Sequence, residues 1–87
     1  MNSEWFVYIV QCADSTFYTG ITTDVARRVR EHNEASVGAR YTRVRRPVML
    51  VYSESALDRS AAAKREAQIK KLPRSGKMAL LASFAGD

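Results

Sequence analysis

Two tyrosines, Tyr8 and Tyr18, are spaced so that their phenols can act together. Each lies in a short aromatic and β-branched stretch typical of a β-strand, and the polar turn around Asp14 predicts a hairpin between the two. Side chains alternate faces along a strand, and an odd-length turn pairs Val10 with Tyr18, so both phenols share one face. A phenol can relay a proton or act as a general base, although cross-strand packing is a simpler alternative.

A predicted helix from about Val25 to Asn33 places an arginine and a histidine on one face. Val25 and Val29 mark its buried stripe, and Arg28 and His32, four residues apart, flank that stripe and lean over the sheet. A guanidinium binds phosphate, and an imidazole can carry a proton near neutral pH. The alternative is a solvated helix edge.

A single acid, Glu66, lies among basic residues in a second predicted helix. It either pairs with Lys70 one turn later or serves as a ligand for a divalent ion, since Mg²⁺ often takes only one or two protein carboxylates. Zinc is excluded because no Cys/His cluster occurs. Two phenols, an arginine, a histidine and one carboxylate together supply the groups needed for metal-assisted phosphodiester cleavage.

Three strands and three helices must position these groups, in the predicted order ββαβαα, as a compact α+β domain. The remaining segments are a loop carrying Ala39 to Arg43, a strand over Val48–Tyr52, a helix from the Asp58 cap to Leu72, and a last helix capped by Ser75 after Pro73. The residues assigned to the core are Val7, Phe17, Ile21, Val29, Leu50, Ile69, Leu80 and Phe84.

The chain length, 87 residues, predicts a single domain over 1–87 with a core of about 4–85. With 46% hydrophobic and 26% charged residues, disorder, a collagen helix and a disulfide scaffold are excluded. The longest apolar runs are strand-sized, far short of the roughly 20 residues of a membrane span. The lone Cys12 and the lack of a signal-peptide pattern predict a cytoplasmic protein.

Positive charge is clustered rather than spread along the chain. Lys and Arg number 14 against 9 acids, a net charge of +5, with a pI of about 9.8. Clustering of this kind is the electrostatic footprint of nucleic-acid binding, although it also promotes solubility. The predicted contacts are Arg40, Tyr41, Arg43, Arg45, Arg46, Lys64, Lys70 and Lys71, and Tyr41 or Trp5 could stack on bases.

Several motifs occur in a fixed order: Val7-Tyr8-Ile9, Tyr18-Thr19-Gly20, Arg27-Arg28 with Glu31-His32-Asn33, Ala39-Arg40-Tyr41-Thr42, and Lys64-Arg65-Glu66. Over about residues 4–80 they resemble the GIY-YIG nuclease superfamily, and in particular its small stand-alone bacterial members. The resemblance implies a small three-stranded antiparallel sheet flanked by helices. It also implies nucleic-acid cleavage with one divalent ion, Mg²⁺ or Mn²⁺.

Carried onto this chain, the resemblance makes Tyr8 and Tyr18 the signature tyrosines and Arg28 the signature arginine. His32 takes the site that holds His or Tyr in the family, and Glu66 becomes the metal ligand. Which tyrosine is the general base stays open.

Two departures from the family pattern matter. Val7 replaces the signature glycine, and the segment 78–81 lacks the asparagine that some family nucleases use after the glutamate. We expect an endonuclease for single-stranded or branched DNA, in repair or recombination, acting as a monomer away from membranes. The alternatives are a nuclease acting on RNA, a catalytically weak nucleic-acid-binding module, and an interaction domain.

Overall fold

A computed structural model describes residues 4–34 and 39–85. The elements are β1 (Trp5–Gln11), β2 (Phe17–Thr22), α1 (Val25–Asn33), α2 (Arg40–Arg43), β3 (Met49–Ala56), α3 (Arg59–Lys70) and α4 (Arg74–Ala85). The strands form one antiparallel sheet in the order β2-β1-β3. This confirms the α+β class and the three-stranded sheet flanked by helices. Within the described ranges, no helix is long and apolar enough to cross a membrane.

The hairpin has the predicted register. Val10 pairs with Tyr18, and Tyr8 pairs with Gly20, so the two phenols lie on one face of the sheet. The connecting turn closes through a bond from the Ser15 amide to the Cys12 carbonyl, and Ser15 has a φ of 70°. That is the left-handed region, where glycine is the usual residue.

Each face of the sheet has its own hydrophobic cluster. On one face, which we call the α3 face, Val7, Ile9 and Tyr52 pack with Ala62 and Ile69 of α3. On the other, the α1 face, the members are Tyr8, Val10, Cys12 and Val48, with Tyr18, Val25, Val29 and Leu50 packed against them. Of the predicted core residues, Val7 and Ile69 are fully buried, whereas Phe84 is 40% exposed and meets Tyr52 edge-on. The two tyrosines therefore sit on a sheet that is supported from both sides.

The predicted loop after α1 is wrong in its second half, because residues 40–43 form the one-turn helix α2. The Ala39 carbonyl accepts the amides of Thr42 and Arg43, both at 3.1 Å, and the Thr42 hydroxyl at 2.9 Å. Three bonds to one carbonyl close this turn, so the element order is ββααβαα. The first half of that loop, 35–38, lies outside the described residues.

Three other boundaries differ from the prediction. β3 continues to Ala56 because Glu54, though charged, is half-buried and bound by Tyr52 and Arg65. α3 begins at the predicted cap, where the Asp58 carboxylate accepts the Ala61 amide at 2.8 Å, but it ends at Lys70. α4 begins at Arg74, one residue before the predicted Ser75 cap, since its first hydrogen bond runs from the Lys77 amide to the Pro73 carbonyl.

Candidate active site

The predicted site residues come from four elements, and those from β1, β2 and α1 meet on the α1 face of the sheet. Tyr8 is on β1, Tyr18 on β2, Arg28 and His32 on α1, and Glu66 on α3. The hydroxyl of Tyr8 bonds His32 and also interacts with Arg28, and the ring of Tyr18 meets His32 edge-on at 5.2 Å. The Glu66 carboxylate is close enough to raise the pKa of Tyr8. α1, packed on the hairpin, thus brings Tyr8, Tyr18, Arg28 and His32 together, and Glu66 acts on Tyr8 from α3.

Gly20 lets the Tyr8 side chain lie across β2. A Cβ atom at Gly20 would stand 2.6 Å from the Tyr8 hydroxyl oxygen and 2.8 Å from Cζ. Both distances are shorter than non-bonded atoms allow, so a side chain at this position would push the ring away. The glycine is therefore required by the close approach of the Tyr8 phenol.

The imidazole of His32 sits inside a chain of buried hydrogen bonds. Its Nε2 lies 2.6 Å from the Tyr8 hydroxyl, and its Nδ1 lies 2.8 Å from the hydroxyl of Thr42. His32 and Thr42 are both fully buried, and Tyr8 is nearly so. This chain joins β1, α1 and α2, and it fixes the ring of His32 at both nitrogens.

Burial governs the protonation of both groups in the pair. Burial, the phenol of Tyr18 and the Glu66 carboxylate raise the pKa of Tyr8 to about 12, against the opposing effect of Arg28. Burial and the positive charges of Arg28 and Arg46 lower the pKa of His32 to about 4. At neutral pH, Tyr8 is therefore a phenol and His32 a neutral imidazole.

The Arg28 guanidinium lies beside the Tyr8–His32 pair. The guanidinium donates to the Glu31 carboxylate at 2.9 Å and also interacts with the Tyr8 hydroxyl. The Arg28 side chain is 27% exposed, so one side still faces solvent. A planar, permanent cation in this position is suited to binding an anionic oxygen beside the Tyr8 hydroxyl.

The Glu66 carboxylate forms an ion pair with Lys70, which is one of the two roles that the sequence left open. Lys70 Nζ lies 3.3 Å from one carboxylate oxygen. Lys70 is 54% exposed, and a pair of this kind contributes little stability. Among residues 4–34 and 39–85, no three His, Cys, Asp or Glu side chains converge to hold an ion by themselves. A single carboxylate still fits Mg²⁺ or Mn²⁺, provided that phosphate oxygens and water complete the coordination.

An aromatic stack covers Tyr18 at the rim of the site. The ring of Tyr41 stacks against Tyr18 with centroids 6.0 Å apart, and the Arg45 guanidinium lies 4.0 Å above the Tyr41 ring. Arg45 also donates to the Asp14 carboxylate at 3.1 Å and to the Tyr41 carbonyl. α2 is therefore tied to the hairpin turn, and Tyr41 is 38% exposed beside the site.

The other predicted nucleic-acid contacts divide into two groups. The exposed ones are Arg40 and Arg43 on α2 and Lys64 and Lys71 at α3. Arg46 instead donates to the carbonyls of His32 and Glu34 and so caps the C-terminal end of α1. Trp5, proposed to stack on bases, is partly buried, with Arg59 at 5.9 Å from its ring.

Sequence reasoning missed Thr42 and Asn33. The side-chain amide of Asn33 donates to the Val48 carbonyl at 3.0 Å and accepts its amide at 2.7 Å, which joins the end of α1 to the approach to β3. The partner of Asn33 lies fifteen residues away, and that of Thr42 lies ten residues away. Both residues stand in the ordered motifs, but their roles depend on these distant partners, so only the folded chain reveals the roles.

The chain is similar to known proteins over most of its length. The model of the GIY-YIG catalytic domain matches residues 4–79, a range that contains all five site residues. A UPF0213 protein of Desulfotalea psychrophila is 65% identical over 77 residues, covering 88% of this chain and 70% of that protein. A UPF0213 protein of Natronomonas pharaonis is 50% identical over 86 residues, covering 99% and 100% respectively.

Solved structures show the same similarity. A solution NMR structure of a protein from E. faecalis is 41% identical with a TM-score of 0.65, covering 99% of this chain and 91% of that chain. The solution NMR structure of a UPF0213 protein from Bacillus halodurans is 39% identical with a TM-score of 0.58, covering 91% and 83%. The resemblance in sequence thus extends to the fold.

Proposed function

The chain belongs to the GIY-YIG catalytic domain family, which implies nuclease activity, and we propose that it is a metal-dependent endonuclease acting on DNA. The observation that carries the proposal is the buried Tyr8–His32 pair, with the Arg28 guanidinium at its open side and the Glu66 carboxylate nearby. This arrangement offers an anion site beside a group that can move a proton. Hydrolysis of a phosphodiester requires both.

Arg28 is the residue we assign to the scissile phosphate. Its guanidinium is held by Glu31 and by the Tyr8 hydroxyl, so it needs little reorganisation to meet an anionic oxygen. Charge on the equatorial oxygens grows during the in-line attack of water, and a positioned cation stabilises that charge.

Tyr8 is the residue we assign to the attacking water. With a pKa of about 12, a free Tyr8 phenolate is too scarce to act as the base near neutral pH. The phenol can accept the proton of water only as it passes its own proton along the 2.6 Å bond to His32 Nε2. A phosphate bound at Arg28 favours this transfer, because it offsets a positive charge that lowers the pKa of His32. Tyr18, in ring contact with His32, is placed to orient the water.

Glu66 is the residue that would hold one Mg²⁺ or Mn²⁺ together with the phosphate. When bound, the ion would stabilise the negative charge on the leaving 3′ oxygen as its bond to phosphorus breaks. Since one protein carboxylate holds such an ion weakly, we expect it to bind mainly together with substrate.

Single-stranded or branched DNA is the substrate we propose. Arg40 and Arg43 are exposed on α2, the helix whose Thr42 bonds His32, so a flexible strand can follow them. One such site cuts one strand, and we propose that the whole chain is one domain that acts as a monomer. The buried free thiol of Cys12 is in keeping with the cytoplasm.

The test is a comparison of end-labelled substrates that share one sequence: single-stranded DNA, duplex DNA, a flap and single-stranded RNA. Each is incubated with Mn²⁺, Mg²⁺ or EDTA. We expect cleavage only with metal and fastest on single-stranded DNA and the flap. Faster cleavage of the RNA would overturn the assignment to DNA.

A binding module is the second candidate, since segment 78–81 lacks the asparagine of some family nucleases. Salt-sensitive binding with no cleavage of any substrate would favour this module.

A further inference from the structure

We propose that Thr42 is a positioning residue that sets the tautomer of His32, and with it the direction of the Tyr8–His32 hydrogen bond. The proposal rests on the proposed function, since it concerns the same proton path. It adds a residue from α2 to a site otherwise built from β1, β2, α1 and α3.

The direction of each bond follows from the Ala39 carbonyl. A carbonyl oxygen can only accept, so the Thr42 hydroxyl donates its one proton to Ala39 over 2.9 Å. The same hydroxyl oxygen is 2.8 Å from His32 Nδ1 and must therefore accept from an Nδ1–H group. A neutral imidazole has one N–H, which leaves Nε2 as the acceptor for the Tyr8 hydroxyl at 2.6 Å.

A second tautomer is accessible, and it explains what Thr42 has to prevent. The Ala39 amide lies 3.4 Å from His32 Nδ1, a contact that would serve as a hydrogen bond only if Nδ1 had no proton. This distance is longer than the 2.8 Å from Nδ1 to the Thr42 hydroxyl, so the Ala39 amide is the weaker partner of Nδ1. Without the Thr42 hydroxyl, a buried Nδ1–H would lack a partner, and the proton would move to Nε2.

The charged groups around His32 keep the imidazole neutral in either tautomer. Arg28 and Arg46 disfavour the cation and Glu31 favours it, and the rings of Tyr8 and Tyr18 face the imidazole. The choice is therefore between two neutral forms.

The tautomer determines what Tyr8 can do. With Nε2 as acceptor, the Tyr8 hydroxyl proton points at His32. The lone pairs of the Tyr8 oxygen are then left for Arg28 and for the water that attacks the phosphate. In the other tautomer Tyr8 accepts from Nε2–H, and the path for the proton of water is closed. Thr42 thus acts through His32 and touches no substrate itself.

The chain contains one histidine, so the imidazole ¹⁵N signals belong to His32 and need no resonance assignment. A long-range ¹⁵N–¹H spectrum of ¹⁵N-histidine-labelled protein distinguishes a protonated Nδ1 from a protonated Nε2. We expect protonated Nδ1 in the wild type and in Thr42→Ser, and protonated Nε2 in Thr42→Val, which keeps the shape but has no hydroxyl. Thr19→Val is the matched control, since it removes a buried hydroxyl on the α3 face and should leave the tautomer unchanged.

Cleavage of single-stranded DNA provides the second readout. For Thr42→Val we expect kcat to fall by about 10–100-fold with KM within about twofold, the range typical of losing a partner that orients a functional histidine. Thr42→Ser should restore kcat to within about threefold of the wild type.

A protonated Nε2 in the wild type would overturn the proposal, as would an unchanged tautomer in Thr42→Val. If Thr42→Val fails to fold, the wild-type spectrum decides alone. The spectra need no substrate, so a protein with the expected tautomer that cleaves nothing would refute the proposed function and leave the role of Thr42 standing.

Discussion

Lowering the pH from 7 to 5 should destabilise this protein through its single histidine. Burial and the charges of Arg28 and Arg46 lower the pKa of His32 to about 4 in the folded state, from 6.5 in an open chain. Below pH 6.5 the unfolded state binds a proton that the folded state does not. The stability associated with neutral His32 is therefore complete above pH 6.5 and is lost as the pH falls towards 4.

The size of the effect follows from these two pKa values. Proton linkage predicts a loss of about 2 kcal/mol between pH 7 and 5, and about 3 kcal/mol once the pH is well below 4. A typical domain has a free energy of unfolding of about 5–15 kcal/mol, so this loss is a large share of it. For a domain of this size, about 2 kcal/mol corresponds to a fall in Tm of roughly 8–16 °C.

Urea unfolding at pH 7, 6 and 5 measures this loss directly. Carboxylates titrate mostly below pH 5, so the window isolates His32, and His32→Gln provides a control that cannot titrate there. His32→Gln should be less stable at pH 7 but lose much less than the wild type on acidification. If the free energy of unfolding of the wild type falls by less than about 0.5 kcal/mol, His32 does not have the lowered pKa. An equal fall in His32→Gln would show that other groups cause the loss.

Two substitutions test the packing and the backbone. Gly20→Ala places a Cβ 2.6 Å from the Tyr8 hydroxyl and should cost about 1–3 kcal/mol and displace the phenol, as measured by thermal unfolding and cleavage. Gly76→Ala, in α4 with its nearest contact at 3.3 Å, is the matched control and should change stability by less than about 1 kcal/mol; equal melting temperatures would contradict the packing argument. Ser15→Gly relieves a φ of 70° and should stabilise the fold by about 0.5–1 kcal/mol, whereas a lower Tm would count against strain there.

Local patterns predicted the parts of the fold that depend on neighbours in sequence. Alternation along the strands gave the Val10–Tyr18 register, and a capping residue followed by Val25 and Val29 gave the bounds of α1. The convergence of Tyr8 with Arg28 and His32 followed from those two elements. These features need only periodicity and a cap.

The features that sequence reasoning missed depend on distant partners. β3 extends past Tyr52 because Arg65, eleven residues after Glu54, neutralises that carboxylate on the α3 face. α2 is one turn long and too short to show a helical period, and Thr42 matters only because His32 is folded against it. No local spacing of residues in the sequence indicates such contacts.

The central claim is tested most directly by comparing Glu66→Gln with Glu34→Gln. Each substitution removes one negative charge, but Glu34 is exposed at the end of α1 and is assigned no part in catalysis. In single-turnover cleavage of single-stranded DNA with Mn²⁺, we predict that Glu34→Gln stays within about twofold of the wild type. Glu66→Gln should be at least about 100-fold slower while still binding the DNA. Equal rates for the two variants, or cleavage by the wild type that persists in EDTA, would contradict the account.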